Sequence, residues 1–126
     1  MKIYLVYITA KNQSEAKKLS TLLVKERYVA CANIIQGADS IYRWKGKIVR
    51  TKESIIFAKT NKKMIPKLIK KVRSIHSYDC PCIVFLPIAD GNRDFLKWVD
   101  ICLLYTSDAA DATPCVALGG RRIIKK

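Results

Sequence analysis

Between residues 30 and 60 the chain reads ACANIIQGADSIYRWKGKIVRTKESIIFAKT, two long runs rich in β-branched and aromatic residues that meet at Lys45-Gly46-Lys47. Such runs read as strands, and a glycine in a short polar link supplies the permissive backbone that folds one strand onto the other. Gly37 interrupts the first run and predicts a bulge or bend there. A hairpin this long needs a sheet to lie in, so the rest of the chain has to supply neighbouring strands and the helices that cover them.

The flanking segments have the patterns required. Ile3 to Thr9 is almost continuously apolar, as expected of a central strand buried on both faces. Asn12 and Glu15 form an N-x-x-E start signal, after which Ala16, Leu19, Leu22 and Leu23 recur at helical spacing with Lys17, Lys18 and Lys25 on the other face. Helical spacing returns through Ile65, Leu68, Ile69, Val72 and Ile75. Pro66 would cost about 3 kcal/mol in a helix interior, so the regular helix is expected to begin near Ile65 with the proline in its first turn. CIVFLPI, from Cys82, reads as another buried strand, and NRDFLKWV, from Asn92, as a short helix after the Asp90-Gly91 turn. The order strand, helix, strand, strand, helix, strand, short helix predicts an α+β fold. It is the βαββαβ order of a ferredoxin-like sandwich, with both long helices on one face of an antiparallel sheet.

After Ile101 the periodicity ends. The segment CLLYTSDAADATPCVALGGRRIIKK shows no sustained pattern, and its opening resembles the conceptual translation of a sequencing-library adapter read through in frame. The expectation is one domain over residues 1–101 and a non-native or disordered tail over 102–126. The tail holds four basic and two acidic side chains, so residues 1–101 carry +12 of the formal charge of +14. A charge of that size raises the question of a nucleic-acid partner. The lysines are spread through both helical segments, and no RNP aromatic motif, zinc-finger spacing or GXXG loop accompanies them, so no nucleic-acid partner is expected. No apolar run approaches the roughly 18 residues of a membrane span, so no membrane partner is expected either. The opening MKIYLVYITAKN lacks a small-residue cleavage site and reads as a strand, which makes the cytoplasm the expected compartment.

Five cysteines, unevenly spaced, do not form a disulfide framework, and Cys102 and Cys115 fall in the tail. The stretch HSYDCPC, residues 76–82, brings the only histidine close to Cys80 and Cys82. In extended chain these two thiols leave the same face with Cα atoms roughly 6.5–7 Å apart, at the edge of disulfide geometry. Three readings stay open: packed cysteines entering a strand, a histidine that caps the preceding helix, and a metal site joining His76 to a thiol. No Gly-rich phosphate loop, nucleophile elbow or paired acids beside the histidine mark a catalytic set, so neither an enzyme nor an organic cofactor is expected.

Three blocks, ACANIIQGADSIYRWKGKI, IHSYDCPCIVFLPI and GNRDFLKWV, resemble the signature blocks of the CutA family of divalent-cation tolerance proteins, in the same order and spacing from about Ile3 to Val99. The resemblance implies a ferredoxin-like protomer in a tight trimer built like the PII signalling proteins. It also implies a link to divalent-cation tolerance, with copper binding in some members. Carried onto this chain, it implies a homotrimer with Tyr42 and Trp44 at the interface, and a metal set of Cys31, His76 and Cys82. The long edge bearing Ile41, Tyr42, Trp44 and Ile48 fits a covered strand, because uncovered it would invite aggregation. Departures are visible too: Ser77 stands where the family has a proline, and Cys82 where many relatives carry glutamate. A thiolate there favours softer ions such as Cu(I). The competing expectation is a PII-like sensor binding small anionic metabolites in clefts between subunits.

Overall fold

The computed structural model describes residues 2–104. Strand β1 (Ile3–Ala10) leads into helix α1 (Gln13–Lys25); β2 (Cys31–Trp44) and β3 (Lys47–Asn61) form the long hairpin; α2 (Ile65–Ile75), β4 (Ile83–Pro87) and α3 (Arg93–Cys102) follow. The sheet is antiparallel with order β2-β3-β1-β4, the ferredoxin-like arrangement expected from the sequence.

Local chemistry sets the boundaries. The Asn12 side chain accepts the Glu15 N–H at 2.9 Å while Glu15 Oε1 accepts the Lys11 N–H at 3.0 Å, a reciprocal cap that starts α1. The Asn61 Oδ1 accepts the Met64 N–H at 3.2 Å and opens a 3₁₀ turn over Lys62–Met64, after which Pro66 sits in the first turn of α2, where its missing N–H costs nothing. Gly37, at φ +74°, lies in the register shift between Ile35 and Ala38, the expected bulge. Lys45 and Gly46 are both left-handed, as a two-residue hairpin turn requires.

The main core fills the space between the sheet and helices α1 and α2. Val6, Ile8, Ala10, Ile56, Ala58, Leu68 and Val72 are all fully buried there. A second cluster gathers Ile3, Met64, Trp98 and Val99 with the partly buried Cys31 and Phe95, so α3 closes one end of the molecule. Here the structure adds to the sequence reading. Phe95, Trp98, Val99 and Cys102 continue one helical stripe, and Cys102 and Leu103 are both buried, so the packed fold passes Ile101. The rest of the expected tail, residues 105–126, lies outside the described residues.

Candidate functional site

Helix α2 ends where the His76 N–H reaches the Val72 carbonyl at 2.9 Å, and the chain turns across the end of β1. The His76 ring is buried with both nitrogens engaged: Nε2 lies 2.7 Å from the Thr9 carbonyl oxygen, and Nδ1 lies 3.1 Å from the Tyr78 backbone nitrogen. A carbonyl can only accept and a backbone N–H can only donate, so the ring is neutral with its proton on Nε2. Ser77 donates its N–H to Glu15 Oε2 at 2.8 Å, and that oxygen is 3.8 Å from His76 Nδ1. Partial burial opposes ionisation of Glu15. Hydrogen bonds from Lys11 and Ser77 outweigh it and hold the carboxyl below its ordinary value.

The next residue carries the connection to the hairpin. The Tyr78 ring lies 4.9 Å from the His76 ring, and its hydroxyl donates to Glu53 Oε2 at 2.7 Å. Burial, then the Glu53 hydrogen bond and charge, push the Tyr78 phenol above its ordinary value. Cys80 and Cys82 are exposed, reduced thiols, and the Cys82 carbonyl accepts the Thr9 N–H at 3.4 Å. Partial desolvation and the Glu53 carboxylate raise Cys82, which therefore rests as a thiol. Residues 76–82 thus tie the start of α1, the end of β1 and the base of the hairpin at one end of the sheet.

His76 and Cys82 meet at this end; Cys31 does not join them. Cys31 pairs with Lys59, itself opposite Leu5, whereas Thr9 pairs with Ile55 four residues further along. At 3.3–3.4 Å per residue that is about 13 Å along the sheet, and Cys31 packs instead beside the α3 cluster. Among the described residues no three His, Cys, Asp or Glu side chains converge as a metal cage. Tyr42 and Trp44 lie on the projecting hairpin, 42% and 61% exposed, with the Lys45 ammonium 5.9 Å from the Trp44 ring centroid. Glu53 and the Thr9 carbonyl are site groups that the sequence reading missed. Glu53 joins the site through the register of β3 against β1, one residue past the Ala10–Ser54 pair, and Thr9 through a contact 67 residues distant in sequence.

A four-stranded antiparallel sheet in this order, with two helices on one face and a third at one end, defines a ferredoxin-like α+β protein. The chain matches the family described as CutA1 divalent ion tolerance protein over residues 4–101, and it belongs to that family. It is 44% identical over 94 residues to the divalent-cation tolerance protein CutA of Thermus thermophilus, an alignment covering 75% of this chain and 91% of that one. Against the protein CutA, chloroplastic, of Arabidopsis thaliana it is 36% identical over 75% of this chain, but spans only 52% of that longer relative. The crystal structure of CutA1 from Ehrlichia chaffeensis superposes with a TM-score of 0.79 at 32% identity, over 83% of this chain and 99% of that one. The family is one of divalent-cation tolerance and is not a known enzyme family.

Proposed function

We propose that this chain is a homotrimeric, copper-binding metal-response module of the cytoplasm that works without catalysis. The observation that carries the proposal is the position of the Cys80 and Cys82 thiols, exposed at the sheet end from which the apolar hairpin projects. The described residues of one chain supply thiols there but no closed cage, so the remaining ligands come from a neighbouring copy docked on the hairpin through Tyr42 and Trp44. Thiolate donors suit Cu(I), and each must lose a proton to ligate. His76 can coordinate only by giving up its bond to Thr9 or to Tyr78, so its first role is to hold the 76–82 arm in place.

The test is a copper titration of the parent and of three variants, with light scattering at the same concentrations. The parent should scatter as three protomers and bind copper at a fixed ratio per assembly. Cys82→Ser and the double variant His76→Ala, Cys82→Ser should each weaken binding at least tenfold. Cys31→Ser should leave it unchanged. Equal affinity and stoichiometry in parent and double variant would reduce HSYDCPC to a packed loop, and the metal assignment would fall.

A further inference from the structure

Nine of the twenty basic residues that precede the tail lie on the two long helices and their lead-in turn, and the fold sets those helices on one face of the sheet. From Gln13 to Glu26 and from Lys62 to Ile75, the two long helices and their lead-in turn hold nine basic residues against two acidic ones. Both acids are committed. Glu26 lies 3.6 Å from Lys71, and Glu15 accepts the backbone N–H groups of Lys11 and Ser77. Lys17, Lys18, Lys63, Lys67, Lys70 and Arg73 are exposed, and no carboxylate among the described residues pairs with them. Lys63, Lys67 and Lys70 follow one another at i, i+4 and i+7, which sets a row of ammonium stems with about 5–6 Å between neighbouring Cβ atoms. Lys63 stands in the 3₁₀ turn that leads into α2, and the row from Lys63 to Lys70 covers about 10 Å.

We propose that this helical layer is a docking surface for the phosphate backbone of double-stranded nucleic acid, bound without regard to base sequence. A regular row of unpaired cations complements a regular line of phosphates, and such contacts need no base-reading motif. The same surface suits other anionic partners less well. Leu68 and Val72 are already fully buried against the sheet, and the largest exposed apolar side chains of the two helices, Val24 and Ile75, are only 39% exposed. The layer therefore lacks the aromatic or apolar anchors of a membrane-surface helix. It also lacks the apolar centre through which an acidic protein would dock. The surface uses none of the thiols or hairpin aromatics invoked for copper, so its test is independent of the copper reading.

The experiment is fluorescence anisotropy of the full chain with two unrelated labelled DNA duplexes of about 20 base pairs. Both should bind alike, and with about four phosphates engaged the affinity should fall on the order of a hundredfold between 50 and 200 mM salt. Lys67→Glu with Lys70→Glu should weaken binding at least tenfold and flatten the salt slope by about two, with circular dichroism and assembled mass unchanged. The charge-matched pair Arg93→Glu, Lys97→Glu, on α3, should have a much smaller effect. An equal loss in the two pairs would reduce the effect to net charge. Three other results would also overturn the proposal: duplex binding indifferent to Lys67 and Lys70, no duplex binding at all, or capture by phosphatidylglycerol vesicles in its place.

Discussion

The central strands present two faces that differ by a single step along the chain. Val6, Ile8, Ala10, Ile56 and Ala58 point to helices α1 and α2 and are wholly buried, while their alternate neighbours Tyr7, Ile55 and Phe57 turn to the other side. There Tyr7 and Phe57 pack edge to face at 5.6 Å, and Ile35, Val84 and Leu86 remain 50%, 48% and 49% exposed. One face is complete within the chain. The other carries large apolar side chains beside a few polar ones such as Asn33 and Lys59, and is covered by the described residues only at the α3 end. The contrast shows what the sequence pattern encodes: near-continuous apolar strands specify burial on both faces, and a protomer with helices on one face provides only half of it.

The largest effect that can break this contrast lies in the helix-facing layer. Ile56→Ala opens a cavity where nothing can collapse and should cost about 2–5 kcal/mol, read as a lowered urea midpoint. Trp44→Asp, on the exposed hairpin, should leave the protomer's circular dichroism unchanged and lower the mass seen by light scattering, because a charge enters the proposed contact between copies. If Trp44→Asp unfolded the protomer as Ile56→Ala does, the hairpin would belong to the chain's own core and the two faces would not differ in kind.

The second prediction concerns the end of the sheet that α3 does cover. A chain ending after Ile101 loses the buried Cys102 and Leu103, and with them the Cys102 carbonyl that accepts Arg27 Nη1 at 3.0 Å. It should lose about 2 kcal/mol relative to the full chain. A chain ending after Leu104 should keep the full urea midpoint. Equal midpoints for the two truncations would show that the α3 stripe ends at Val99 in energetic terms.

The fold was legible because its signals are local. Asn12 with Glu15, the Gly37 interruption, Lys45-Gly46 and the position of Pro66 each dictate backbone geometry within a few residues, and each appears where its chemistry places it. The α3 terminus was harder to read, since Cys102 and Leu103 adjoin a segment with no periodicity of its own. The site was legible only in part. HSYDCPC marks the loop, but the partners that fix it, Thr9, Glu15 and Glu53, come from three other elements, and the register of β1 against β3, with Ala10 opposite Ser54, brings Glu53 to the end of β1 where Tyr78 reaches it. Cys31 matched the family pattern in sequence, yet four residues of strand register separate it from His76.

The two faces should also differ, by a smaller amount, in their response to pH. Glu15 joins the 76–82 arm to the helical layer, and Tyr78 joins it to Glu53 on the open face. The carboxyl of Glu15 is held below its ordinary value of 4.5, so its contribution is complete above that pH and is lost as pH falls through the lowered folded value. Tyr78 is raised above 10.0, so its contribution is complete below that pH and is lost as pH rises through the folded value. Urea midpoints of the parent, Glu15→Gln and Tyr78→Phe across the pH range should therefore separate the two attachments. The gap between parent and Glu15→Gln should narrow only under acid conditions, and the gap between parent and Tyr78→Phe only above pH 10. A Tyr78→Phe gap that stayed constant into strong alkali would mean that the hydroxyl bond to Glu53 does not hold the arm against the open face, leaving His76 and Glu15 to position it from the helical side alone.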